Sequence, residues 1–469
     1  MLLRNTPYPT GLDGGNWLAY GHAILGEHIR SSSLACPPVV PLLAVGAEWL
    51  LGTYRGIEVL SFLAASAPAI GAYVLLHSWG LRWRAAVLAG FVAASAGTGE
   101  AMAWGGYPQL LGLGLLPIFI ASIEWFITSR GPLRALAPAG LLLALLATSD
   151  LIGAVSVVVG LVYVVARYSF LRVNGAGNSV RNLLLGVGLT ALLAVLMAPT
   201  YIALAPGVAS NEHAKLETPW TVFAAIGSAT LDLPNFWFPG LVVALAAPLV
   251  LLTKRYRMAL ASFAILVPVL ALFSSLGEQR LAYLVPLGIV IGLGAWWEAV
   301  PDRFPSWSRR SVDAGLVAFL AFDVLVGTQV FASHRDYYSV LTPAMVQGFT
   351  QLDARTDSTQ LIAVSPTRND WELGWWVEGA ARRRTIYAGN PIWLNYADER
   401  KRNDTANMIF APDKGVMESS SSARAVGVAY LFVDKEWNGY SAWIGNRLSL
   451  SPNMIAYENQ DVMIIATSL

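Results

Sequence analysis

Asp13 lies in the run Tyr8–Leu43, YPTGLDGGNWLAYGHAILGEHIRSSSLACPPVVPLL, among glycines and aromatics, and no other carboxylate precedes Glu27. A carboxylate in that setting can take a proton from a bound hydroxyl or hold a hard divalent cation. The glycines beside it would let a ligand approach the backbone closely. His22, Glu27, His28 and Arg30 follow, and then Pro37 and Pro38 open an apolar run. The same residues also fit an ordinary exposed loop ahead of a membrane helix. Glu100, in GTGEAMAWGGYPQL, is a second acid flanked by glycines, with Trp104 and Tyr107 after it. Asp150, in ATSDLIG, is either a polar group at a span end or the N-cap of the next helix, a position that favours Asp. Glu278 and Arg280, in SSLGEQRLAYLVPLG, either pair with each other or face a ligand. Lys215 lies with His213 and Glu217 in a long polar segment, 205–235, where solvated charges are common. No zinc-ligand spacing, phosphate-binding loop, nucleophile elbow or dinucleotide fingerprint is present.

The elements that position these groups are membrane elements. The chain has 469 residues, 55% hydrophobic and 13% charged, with a mean hydropathy of +0.53. A soluble domain carries roughly 25% charged residues, so this is an integral membrane protein. A net charge of +1 leaves no basic footprint for nucleic acid. The single cysteine, Cys36, excludes an intramolecular disulfide framework.

Apolar runs long enough to cross a bilayer fall near 57–77, 84–99, 107–127, 133–148, 151–168, 183–204, 236–253, 257–275, 281–298 and 312–332. Residues 37–52 form a further apolar stretch, short and opened by prolines, and read as an interfacial helix. Alternate loops hold thirteen basic residues, among them Arg84, Arg167, Arg257 and Arg310, against five in the other set, Arg4, Arg30, Arg55, Lys215 and Arg280. Basic loops stay cytoplasmic, so the first loop (1–36), Glu100, Asp150, the 205–235 loop and everything after 332 are expected outside. Residues 333–469 gain charge and lose long apolar runs. Strands are expected at Gln360–Val364, Thr385–Ala388, Val426–Val433 and Val462–Ala466, a helix at Ala397–Phe410 and a flexible loop at Ser419–Ser422. This is a mixed α/β domain following an all-α polytopic domain, 1–332. Trp371, Trp375 and Trp376 form an aromatic-rich patch in it, as sugar sites and membrane interfaces both do.

The order of these features resembles the GT-C superfamily of integral membrane glycosyltransferases. The resemblance lies in an early acid, Asp13, in the first outer loop, then PPVVPLL and the less regular LLGTYRGIEVLSFLAA. The basic turn SWGLRWR, the acid Glu100 in the second outer loop, the tight turn TSD and an arginine opening a late span, QRLAYLVPLG, follow. It covers about 330 residues as architecture and is specific in the first 150. Two departures stand out. The chain begins inside the first outer loop, so an upstream helix is expected to be missing, and Gly14 and Gly15 follow Asp13 where many members have an Asp-Glu pair.

The resemblance implies transfer of a sugar from a polyprenyl-phosphate donor to a glycan, lipid or protein acceptor at the outer face of the plasma membrane. Asp13 would be the general base, Arg280 and then Lys215 would receive the leaving phosphate, and membrane lipid would surround the prenyl groove. His22, His28, Tyr107, Asp150 and Glu278 would line the substrate site. Asp13 and Glu100 could hold a divalent metal, Mg or Mn, since some members use one. Two other classes stay open: a transporter or flippase for a lipid-linked or small solute, against which the lack of internal repeats counts, and a non-catalytic scaffold of the same architecture.

Overall fold

Where a loop is expected, residues Asp13–Ile24 form a helix, α1. The computed structural model describes residues 8–27, 36–129, 132–173, 256–276, 279–299, 310–318, 320–322, 325, 337–391, 394, 397–445 and 452–468. Helix α1 contains Gly14, Gly15 and Gly21, each costing about 1 kcal/mol against Ala in a helix. Packing explains why they are there. A Cβ on Gly15 would lie 2.6 Å from the Trp376 Cα, and one on Gly21 would lie 2.4 Å from the Pro41 carbonyl oxygen. The glycines beside Asp13 thus admit neighbouring protein, with the Ile57 and Trp376 side chains at Gly14 and the Trp376 backbone at Gly15, and not a ligand.

Helix α2 (Val39–Leu51) occupies the stretch expected to be interfacial. Val40, Pro41, Ala44, Val45 and Glu48 are buried, while Leu42, Leu43, Trp49, Leu50 and Leu51 face outward. An apolar outward face of this kind requires lipid or headgroup contact. Helices α3 (Thr53–Ser78), α4 (Trp83–Ala94), α5 (Ala96–Trp104), α6 (Tyr107–Thr128), α7 (Leu136–Thr148) and α8 (Asp150–Val173) follow. After them come α9 (Tyr256–Leu276), a 3-10 segment (Gln279–Leu284) and α10 (Val285–Ala299). Helices α3 and α6 cross where Gly71 meets Gly114, and a Cβ on Gly71 would sit 2.0 Å from the Gly114 carbonyl oxygen. Close backbone approach through small residues is how helices associate in lipid.

Among the described residues, three helices are long and apolar enough to cross a membrane by themselves: α3, α6 and Asp150–Ser169 of α8. The span expected at 84–99 is divided, with α4 and α5 bent by 42°. Ser95 accepts from the Thr98 N–H at the start of α5, and Gly105 ends it in the left-handed region, so the two residues define a separate nine-residue helix. The span expected at 133–148 is a 3-10 turn followed by the 13-residue α7, about 20 Å of helix. The expected spans 183–204 and 236–253 and about half of 312–332 lie outside the described residues. Arg167, expected in a loop, is buried in α8. It donates twice to Glu124, each at 2.9 Å, while the Tyr163 hydroxyl donates at 3.0 Å and Arg257 lies at 3.2 Å.

The C-terminal domain holds α11 (Pro343–Arg355), β1 (Leu361–Val364), α12 (Gly374–Ala381), β2 (Arg384–Tyr387), α13 (Ala397–Ile409), α14 (Gly415–Ala425), β3 (Val428–Asp434), α15 (Tyr440–Ile444), β4 (Ile455–Glu458) and β5 (Val462–Ala466). Its five-stranded sheet has the order β2-β1-β3-β5-β4, with β1 parallel to β2 and β3, and β5 antiparallel to β3 and β4. Side chains alternate across it as strand geometry demands. Ile362, Val364, Phe432, Val462 and Ile464 face a core that also contains Leu18, Val45, Ile57, Tyr107 and Trp376. Ala363, Leu431, Val433, Met463 and Ile465 face a second core with Trp437 and Trp443. The first core is continuous from the sheet into α1, α2, α3 and α6, so α1 is the wedge that joins the domain to the membrane helices. The serines expected in a flexible loop lie within α14, where Ser419 and Ser420 are buried.

Candidate active site at the seam

Asp13 is the first residue of α1, half-buried, where the helix dipole favours a negative charge. Three contacts fix its place. The Trp376 indole N–H donates to the Gly11 carbonyl at 2.9 Å, the Gly11 N–H donates to the Tyr338 carbonyl at 2.8 Å, and the Trp17 indole N–H donates to the Gly105 carbonyl at 2.7 Å. Gly105 closes α5 with φ +99°, and a Cβ there would lie 2.7 Å from the Asp13 Cβ. The end of the helix carrying Glu100 therefore rests on the first turn of the helix carrying Asp13.

Glu100 sits in the middle of α5, not in a loop between spans. The Tyr338 hydroxyl donates to its Oε1 at 3.5 Å, a long contact. Burial, and then the Glu100 charge, pushes the Tyr338 phenol above its ordinary range. The Trp104 indole N–H donates to the Tyr283 hydroxyl at 3.1 Å, and both Glu100 and Arg280 act on Tyr283 electrostatically. Asp13, Glu100 and Arg280 are thus gathered around Trp104, Tyr283 and Tyr338, at the seam between membrane helices and C-terminal domain. A fourth acid faces this seam. Glu372 is 1% exposed, its Oε1 has no hydrogen-bond partner among the described residues, and burial, with Asp13, Glu399 and Asp370 adding, pushes its carboxyl up to about 8.

Other expected site residues lie elsewhere. Tyr107 is fully buried in the shared core. Asp150 is exposed at the start of α8, its Oδ1 accepting from the next N–H, while Ser149 caps the helix by accepting from the Ile152 N–H at 3.3 Å. His22 is 1% exposed and lies between two carboxylates, with Nε2 2.7 Å from Glu48 and Nδ1 3.0 Å from Glu27. His28, Lys215, Glu278 and the 205–235 loop lie outside the described residues. Trp375 and Trp376 are buried against α1 and Tyr387, and Trp371 stacks edge-on with Tyr337, so the tryptophan patch is a joint and not an open surface. Tyr338, Tyr283 and Glu372 were not singled out in the sequence. Only Glu372, a lone acid between tryptophans in NDWELGWW, carried a signal.

Among the described residues, no group of three or more His, Cys, Asp or Glu side chains is spaced to hold a metal ion. Asp13 and Glu100 alone do not make the ligand set a hard cation takes from a protein, and no reaction step below passes through one.

No protein-family model matches the chain, and no curated protein matches it in sequence. Solved structures do. ArnT from Cupriavidus metallidurans, bound to undecaprenyl phosphate, superposes with a TM-score of 0.56 at 12% identity, covering 98% of this chain and 94% of that one. The fold is GT-C-like. AftD, a mycobacterial arabinofuranosyltransferase, gives a TM-score of 0.59 at 16% identity over 98% of this chain and 40% of its own. The Archaeoglobus fulgidus oligosaccharyltransferase, in complex with Zn and sulfate, gives 0.56 at 14% over 92% and 65%. At these identities the likeness shows a GT-C-like fold, that of polytopic membrane proteins.

Proposed function

We propose that this protein moves a sugar from a polyprenyl-phosphate-linked donor to an acceptor at the outer face of the plasma membrane. The observation that carries the reading is the gathering of Asp13, Glu100 and Arg280 at the seam of a GT-C-like fold. The undecaprenyl phosphate held by ArnT supports the choice of donor class. In this reading Asp13 takes the proton of the acceptor hydroxyl as general base. The acceptor oxygen then bonds to the anomeric carbon as the bond to the lipid phosphate breaks. Arg280 receives the charge that develops on the leaving phosphate. Glu100, tied to the C-terminal domain through Tyr338, orients the acceptor. Transfer of radiolabelled sugar from a polyprenyl phosphate in isolated membranes tests the proposal, and membranes that only move the donor across the bilayer would overturn it.

The side of the membrane has its own test. Asp404 is exposed on α13, so Asp404→Cys in a Cys36→Ala background should react with a membrane-impermeant thiol reagent in intact cells. Labelling only after lysis would place the C-terminal domain inside.

A further inference from the structure

We infer that His22 is a positioning residue: its imidazolium clamps the turn after α1, helix α2 and the end of α12 together, and so holds the helix that carries Asp13 against the C-terminal domain. The ring is 1% exposed, with one nitrogen 2.7 Å from Glu48 Oε2 and the other 3.0 Å from Glu27 Oε1. These are close ion-pair contacts, bent as hydrogen bonds. A neutral imidazole carries one N–H and one lone pair, so it would turn the lone pair toward one of the carboxylates. Only the doubly protonated ring is attracted to both.

Arg382 closes the arrangement, with its guanidinium 3.5 Å from Glu48 and 3.7 Å from Glu27, and the Thr53 hydroxyl donates to Glu48 at 2.8 Å. Arg382 has φ +51°, a left-handed conformation that an L side chain adopts at a cost. That conformation ends α12 and turns the arginine toward the two acids. Among the described residues, the charged and titratable groups facing the ring are Glu27 from the turn after α1, Glu48 from α2 and Arg382 from the end of α12, with Tyr54 of α3 beside Glu48. Among these, two carboxylates face two cations, and a neutral ring leaves one negative charge uncompensated.

The sign of the pH dependence follows. Burial alone would raise the Glu48 carboxyl, but His22, Thr53 and Arg382 outweigh it and hold the group below its ordinary range. On the acid side the clamp therefore survives until the pH falls through that lowered value. The near end of the same helix pair is fixed by Trp376 on Gly11 and by Gly15, whose carbonyl oxygen would lie 2.4 Å from a Cβ on Gly379. The clamp holds the far end, nine residues along from Asp13.

The positioning role rests on the reading of Asp13 as the acceptor-side base, but the clamp does not. Hydrogen exchange of the full chain in lipid nanodiscs, corrected for intrinsic rates, reads it directly. At about pH 7 wild-type α1 and α12 should be protected. His22→Gln should exchange several-fold faster in both helices, and His22→Gln with Glu27→Gln, which restores the charge balance, should return toward the wild-type rate. Should His22→Gln fail to insert, Glu27→Gln, at a position 39% exposed, serves instead and should loosen both helices, since it takes away one of the two acids that the ring bridges. Variants that exchange at the wild-type rate would overturn the clamp. In transfer assays His22→Gln should lower kcat about tenfold with donor KM unchanged. If exchange behaves as expected but Asp13→Asn keeps full activity, the catalytic reading fails and the clamp stands.

Discussion

Two buried charge clusters divide the molecule's labour. At one end of the helical bundle, Glu124 is met by Arg167, Arg257 and the Tyr163 hydroxyl. At the seam, acids gather with acids: Glu372 is raised by burial and by the charges of Asp13, Glu399 and Asp370, and Tyr338 by burial and Glu100. A carboxylate answered by cations holds helices together. A carboxyl whose proton affinity is raised by burial and by neighbouring acids, as that of Glu372 is, is poised to exchange a proton, which is where acid–base chemistry is sought.

The largest expected effect on stability belongs to the first cluster. Arg167→Met leaves a carboxylate that is 3% exposed short of its bidentate partner, which should cost roughly 3–5 kcal/mol. A thermal midpoint in detergent equal to wild type would erase the distinction between the clusters. At the seam, Glu372 makes stability fall as pH rises. Its carboxyl is protonated in the folded state up to about 8, so the native state binds more protons than the unfolded one between the ordinary carboxylate range and that value. The stabilisation is fully present below the unfolded value and lost as pH rises through about 8. Glu372→Gln should remove ~2–4 kcal/mol of that pH dependence, read from unfolding midpoints between about pH 5 and pH 8. Identical slopes would mean that Glu372 is not a proton-bearing group.

Arg280→Ala sharpens the comparison with a smaller effect. If Arg280 serves ligand and not fold, donor affinity should drop about tenfold, ~1.4 kcal/mol, with the melting temperature nearly unchanged. Equal losses of affinity and stability would move Arg280 into the class of Arg167.

The same contrast explains what the sequence made legible. Apolar runs marked α3, α6 and α8, because burial in lipid imposes long unbroken hydrophobicity. Strand β5 falls at Val462–Ala466, as its alternation across two cores requires. Strand β4, IAYE, was missed because it is an edge strand with no fully buried face. Helix α1 was missed because three glycines argue against a helix, and the partner that Gly14 and Gly15 admit, α12, lies more than 350 residues away in the chain. Asp13, Glu100 and Arg280 could be picked out by charge and context. Tyr338 and Tyr283 could not, since a tyrosine's role depends on which acid it meets. His22 was read as a ligand-facing histidine, but its two partners, one of them on α2, were not readable from spacing.

Asp13→Asn tests the chemistry of the seam most directly. Asn keeps the size of the side chain and most of its hydrogen-bonding geometry but cannot accept the proton, so sugar transfer from a polyprenyl phosphate should fall roughly 10²–10⁴-fold. Membrane yield and melting temperature should stay at wild-type values, because the backbone contacts at Gly11, Gly15 and Gly105 place the helix without the carboxylate. Transfer at the wild-type rate in a properly inserted Asp13→Asn protein would contradict the seam as the site of chemistry.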